Sequence, residues 1–167
     1  VCVVEDGSEA LRFDVVEIAA FDVHLLKRKN AESDYSDAVL AGAADWFSKS
    51  DETAKNRLVK NIIAGLPGSE ASYTVETFRQ HLDNYAGVDA DALRGHLIDF
   101  LKEIAPVADE AGIRLAIHPD DPPFPMFGLP RVVSTAADAE ALIAAYDAPA
   151  NGLCFCTGSF GARADND

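Results

Sequence analysis

Residues 119–130, PDDPPFPMFGLP, carry prolines at 119, 122, 123, 125 and 130. Each ring locks its own φ, removes a backbone donor and restricts the residue before it. The stretch therefore excludes a helix interior and a central strand, and it loses little further entropy in holding one shape. What flanks it decides the fold class. Before it stands a short apolar run, Ile113-Arg114-Leu115-Ala116-Ile117-His118, directly after Gly112. Such a run reads as a buried parallel strand. After it, 134–145 reads as a helix capped by Ser134 or Thr135. Residues 151–156, NGLCFC, read as a second short buried strand before Thr157-Gly158-Ser159. Strand, loop, helix, strand is βαβ logic, so an α/β chain is expected.

In α/β barrels and open sheets, chemistry gathers at the carboxyl ends of the strands. His118 and Cys156 are the expected last residues of these two strands. Adjacent parallel strands lie ~4.8 Å apart, so side chains at matching heights can address one ion. Imidazole nitrogen and thiolate sulfur suit a divalent transition metal such as iron, manganese or zinc. A purely structural reading stands beside this one. A strand-end histidine can be a hydrogen-bonded packing residue, and a strand cysteine a small hydrophobe. Asp120 and Asp121 are open in the same way: solvated or amide-capping loop acids, or groups that orient His118 through its other ring nitrogen.

The first 112 residues read mainly as helix. A turn at Glu5-Asp6-Gly7-Ser8 and a short strand in Ala10-Leu11-Arg12-Phe13 come first. Residues 14–27 fit a helix better than a strand, and 36–47 form a helix that Ser36 can cap. A further helix over 50–64 stops at Gly65-Leu66-Pro67-Gly68, and another covers 74–85. The longest starts at Asp89 or Asp91 and runs to 111, with Leu93, Leu97, Phe100, Leu101, Ile104 and Val107 at roughly helical spacing and Gly112 as its C-terminal glycine. A single partial domain, 1–167, is expected, mainly helical over 1–112 and built of βα units over 113–167.

Charge narrows the partners. The 28 acids outweigh the 14 bases to give −14. No basic footprint exists for nucleic acid or an anionic membrane, while a small anionic substrate stays open. No apolar run approaches the ~20 residues of a membrane span, and no signal-peptide pattern opens the chain. Cys2, Cys154 and Cys156 are odd in number and two form C-x-C, so a disulfide framework is not expected. A reducing, cytoplasmic protein is the reading, and a homo-oligomer is compatible with it. The chain opens without methionine and stops at RADND, so an internal piece of a longer protein is expected.

The strings HPDDPP, GLPRVVST and CTGSFGARADND, in that order and spacing, resemble mannonate dehydratase; DGSEALRFD, EIAAFDVHLLKR and NIIAGLPGSE resemble the same family's middle region. The resemblance spans essentially the whole chain. It implies a fragment of a xylose-isomerase-like (β/α)8 TIM barrel with a helical insertion. It also implies dehydration of D-mannonate to 2-dehydro-3-deoxy-D-gluconate in hexuronate (glucuronate) catabolism, with Fe2+ or Mn2+ as cofactor. The family's metal is held by two histidines, a cysteine and an aspartate. The resemblance puts the first histidine at His118 and the cysteine at Cys156, and the other two ligands beyond residue 167. With half of the ligands and without the first barrel strands, this stretch alone is expected to be inactive or not stably folded.

The implied chemistry suits these residue types. Loss of water from a 2,3-dihydroxy acid begins with a weakly acidic C2 proton, and a divalent metal can stabilise the enediolate charge that develops. A positioned acid then helps the C3 hydroxyl leave. Arg131 and Arg163 are candidate contacts to the carboxylate or hydroxyls, with plain surface arginine as the alternative. Ser159 either faces the sugar acid or caps a helix starting near Gly161. His24 and His81 read as structural, and the general base and acid are not identified. Two rivals stand: a related metal-dependent sugar isomerase of the same barrel type, and a non-catalytic acidic helical module.

Overall fold

The computed structural model describes residues 2–3, 5–10, 13–64 and 73–166. The expected helix stop at 65–68, and residues 11–12 of the first expected strand, lie outside them. The chain divides into two compact units, Val1–Ala86 and Gly87–Asp167. The long helix thus groups with the strands that follow it, and the change of pattern at 112 falls inside the second unit.

In the first unit, β1 (Cys2–Val3) pairs antiparallel with β2 (Glu9–Ala10). The turn between them is held by Asp6, which accepts from the Ser8 amide and hydroxyl at 2.9 and 2.7 Å. α1 (Val15–Ala20) starts where the Asp14 carboxylate accepts the Val16 and Glu17 amides. It then widens into a π-helical segment, Phe21–Leu26, that ends at Lys27 with φ 55°. Arg79 Nε donates to the carbonyl of Leu26 at 2.8 Å, supplying a donor that the helix end lacks.

Three further helices start on polar caps, of which Ser36 is the one read from sequence. α2 (Asp37–Lys49) is capped by Ser36, and Asp51 accepts the Ala54 amide at 2.7 Å at the start of α3 (Glu52–Ala64). Thr74 and Thr77 cap each other reciprocally at α4 (Val75–Asp83). α1 and α2 approach closely through Ala19, Ala20 and Ala43, with Tyr35, Val39 and Trp46 packed around them. Gly42 belongs to that contact, because a Cβ there would stand 3.3 Å from both Val16 methyls. Phe21 packs on Phe78 with ring centroids 6.3 Å apart. His24 stacks on Phe47 at 4.8 Å and His81 meets the edge of Tyr73 at 5.0 Å, so both histidines are ring-packing residues.

The π-helical segment buries a carboxylate, Asp22. Arg28 pairs with it at 2.7 Å and the Tyr35 hydroxyl donates to it at 2.8 Å, while Arg28 also reaches Asp34 at 2.6 Å. A buried charge demands such partners. Burial works against the Arg28 charge, but Asp22 and Asp34 outweigh it and hold the guanidinium protonated. Burial and then the Asp22 charge push the Tyr35 hydroxyl well above its ordinary range.

The second unit begins with α5 (Ala90–Glu110), capped by Asp89, which accepts the Ala92 amide at 2.8 Å. At its far end Gly112 takes φ +69°, and the amides of Gly112 and Ile113 return to the carbonyls of Asp109 and Ala108 at 3.0 and 2.8 Å. This Schellman closure turns the chain into β3 (Leu115–Ile117). β4 (Asn151–Leu153) lies parallel beside it, Leu115 against Asn151 and Ile117 against Leu153. α6 (Ala136–Ala145) connects them, and α7 (Thr157–Phe160) follows β4.

The α/β order is as expected, but both strands are shorter than the apolar runs. Thr135, not Ser134, caps α6, in a reciprocal pair with Asp138. Leu101, Val132, Val133 and Leu142 form the core, lined by Leu93, Leu97, Ile98, Ile104, Ile117 and Leu153. Phe100 and Val107, included in the expected apolar face of α5, are instead exposed. Arg94 ties α5 to α6 through Asp138 at 3.0 Å. Buried Asn151 donates to the Leu142 carbonyl at 2.7 Å, fixing the start of β4 against α6.

Candidate functional site

His118 stands one residue past β3, and Cys156 three past β4, so neither ends its strand as the apolar runs suggest. The ladder continues for one bond, from the Cys154 amide to the Ile117 carbonyl at 2.8 Å. The Cys156 amide then turns back onto the Cys154 carbonyl at 2.9 Å, a γ-turn that takes the chain off the sheet. That turn still leaves Cys156 near enough to His118 for each side chain to shift the ionisation of the other.

His118 Nδ1 lies 2.7 Å from the Pro119 carbonyl oxygen. A carbonyl only accepts, so Nδ1 carries the proton and Nε2 presents its lone pair. That bond to Pro119, then Cys156 and the charge of Asp121, raise the histidine's pKa above its ordinary value. The Cys156 thiol moves the other way, to about 7. The Ser159 hydroxyl is the main cause, donating to Sγ at 3.3 Å. The Ser159 amide adds to it as a nearby dipole, without forming a capping hydrogen bond; burial opposes, and His118 contributes further.

Of the two readings open for Asp120, its hydrogen bonds follow the amide-capping one. Its Oδ2 accepts the Val133 amide at 2.8 Å and the Ser134 hydroxyl at 2.9 Å, and its own amide donates to the Val133 carbonyl at 2.9 Å. These bonds close the base of the proline-rich loop. Arg131 flanks the closure, 3.7 Å from Asp120 Oδ1. Asp121 is exposed and acts on His118 through its charge alone.

Arg163 is likewise engaged within the chain. It pairs through two bonds with Asp165, at 2.9 and 2.6 Å, and donates to the Pro123 carbonyl at 2.8 Å. Ser159 caps no helix at Gly161, because it lies inside α7 and Gly161 follows the last residue. It is also too buried, at 1% exposure, to face a ligand in solvent. Asn166, which sequence reasoning passed over, completes the frame by donating to the carbonyls of Ser134 and Phe160 at 2.8 and 3.0 Å, and within the loop Pro123 is fully buried.

Among the described residues, no three or more His, Cys, Asp or Glu side chains cluster closely enough to hold a metal ion. His118 and Cys156 therefore offer two donors, one nitrogen and one sulfur. The pair lies just beyond two neighbouring parallel strands, on the carboxyl side of the sheet, where α/β proteins in general gather their chemistry.

The family model for D-mannonate dehydratase (UxuA) matches residues 1–167, and the chain belongs to that family. The mannonate dehydratase of Marinomonas sp. (strain MWYL1) is 59% identical over 162 residues, covering 97% of this chain and 41% of the relative. That of Saccharophagus degradans is 52% identical over 162 residues, with the same coverage of 97% and 41%. The chain thus spans about 41% of the length of these curated relatives. The crystal structure of mannonate dehydratase from Streptococcus suis serotype2 superposes with a TM-score of 0.50 at 40% identity, over 52% of this chain and 25% of that one. Among the described residues, no helix is long and apolar enough to cross a membrane.

Proposed function

We propose that the full-length protein containing this chain dehydrates D-mannonate to 2-dehydro-3-deoxy-D-gluconate in hexuronate catabolism, in the reducing cytoplasm. In this reading the chain is part of a (β/α)8 barrel, and His118 and Cys156 hold one side of an Fe2+ or Mn2+ site. The observation that carries it is the meeting of imidazole and thiol beyond two paired parallel strands, in a chain that one dehydratase family matches along its whole length.

The donor chemistry fits the metal. Nε2 is presented by a ring whose Nδ1 is already bonded, and the thiol ionises near neutrality, which eases the loss of its proton to a cation. The length of the relatives outside the match leaves room for the remaining donors. When bound, the metal supplies positive charge that stabilises negative charge developing beside the substrate carboxylate.

The chain's own residues bind and orient. The Pro119 carbonyl keeps the His118 ring from rotating, and the Asp120 closure keeps the loop behind it in place. Arg131 is only loosely paired with Asp120, so its remaining N–H groups are offered to the sugar-acid carboxylate. Arg163 holds the loop from Pro123 rather than the substrate.

Product analysis on D-mannonate tests the reaction. The expected product is a 2-keto-3-deoxy acid, lighter than the substrate by one water. A product of unchanged mass would indicate an isomerase, and absence of turnover by the metal-loaded protein would indicate a binding module.

A further inference from the structure

We propose that Ser159 is a positioning residue that fixes the Cys156 sulfur as a metal ligand through its hydroxyl, rather than a contact to the sugar acid. The inference rests on the reading of His118 and Cys156 as ligands. Its geometric basis is independent of any titration. Ser159 is 1% exposed, and its Oγ donates to Cys156 Sγ at 3.3 Å. At that burial the hydroxyl cannot turn to solvent, and leaving it unpaired is costly.

The backbone around it leaves little freedom. The Phe160 amide donates to the Cys156 carbonyl at 3.0 Å, and the Gly161 amide to the Thr157 carbonyl at 2.9 Å. A Cβ at Gly161 would stand 2.6 Å from the Thr157 carbonyl oxygen, so the turn closes as tightly as a glycine allows. Asn166 then ties Phe160 to Ser134, and Ser134 to the Asp120 closure behind His118. One hydrogen-bonded frame therefore holds both donors, and Ser159 is its link to the sulfur. Groups that orient a ligand in this way typically change metal affinity by about 10–100-fold when removed.

The test uses the full-length protein loaded with Co2+, which reports a sulfur ligand through a sulfur-to-cobalt charge-transfer band. Wild type is compared with Ser159→Ala, Ser159→Thr and Cys156→Ala. Ser159→Ala is expected to bind Co2+ about 10–100-fold more weakly. Its band is expected to move to lower energy, because a sulfur that has lost a donor releases its electrons more readily. Ser159→Thr, which keeps the hydroxyl, is expected to bring the band back toward wild type. If the added methyl prevents folding, the alanine band decides alone. A band unmoved in Ser159→Ala, while Cys156→Ala abolishes it, overturns the role of Ser159 and leaves the metal site standing. A band that survives Cys156→Ala overturns the metal site itself.

Discussion

Asp138 shows how one buried carboxylate can organise a helix start. It accepts the Ser134 and Thr135 amides at 3.1 Å each and the Thr135 hydroxyl at 2.9 Å, and it pairs with Arg94. Burial pushes its pKa up, but the Ser134 amide, the Thr135 hydroxyl and Arg94 outweigh burial and hold it below the ordinary value. A depressed folded-state pKa contributes stability above the ordinary value near 3.8, lost as pH falls through the folded value. Asp138→Asn is therefore expected to flatten the acid side of a urea stability–pH profile. At neutral pH it should cost about 1–2 kcal/mol through weaker acceptance at the helix start.

Arg28→Met is expected to cost more, about 3–5 kcal/mol by urea denaturation, because it leaves Asp22 buried without its cation. The two loop arginines should separate in kinetics. Arg131→Ala is expected to raise KM by on the order of tenfold with a smaller change in kcat, as loss of a substrate contact does. Arg163→Ala should loosen the loop and lower thermal stability. Equal KM for wild type and Arg131→Ala would remove Arg131 from the substrate site. At this scale the sequence was legible where partners are local, as at the cap Ser36 and at Asp89, one of two candidates for the start of α5. Asp120 with Ser134, 14 residues away, and Arg163 with Pro123, 40 away, left no local pattern to read.

Elements followed their punctuation more than their periodicity. The glycine expected to end the long helix does so at φ +69°, whereas Gly95 inside α5 has open space around its Cα. The pair gives opposite predictions in one unit. Gly95→Ala should stabilise by about 0.5–1 kcal/mol through lower chain entropy in the unfolded state. Gly112→Ala should destabilise by about 1–2 kcal/mol because a Cβ is strained in the left-handed region. Matching shifts of the same sign would contradict the Schellman ending. Hydrophobic runs overstated both strands, since apolar residues can continue past the last ladder bond; the γ-turn at 154–156 depends on backbone geometry that side-chain pattern does not report. The π-helical segment at 21–26 was hidden for a related reason, since its apolar spacing is compatible with an ordinary helix.

For the whole molecule, the α/β class and the βα unit that brings His118 to Cys156 were readable from the order of elements. Grouping α5 with the strands was not, because it depends on Leu93, Leu97, Ile98 and Leu101 sharing a core with Val132, Val133 and Leu142, which lie beyond residue 130. The chain belongs to the D-mannonate dehydratase family, and a metal held by the two donors is the central claim of the proposed function. Metal content of the purified full-length protein tests that claim most directly, with wild type compared against His118→Ala and Cys156→Ala. The expected result is stoichiometric iron or manganese in the wild type and loss of it in each variant, with helical content retained. Iron and manganese at wild-type levels in both variants would contradict it.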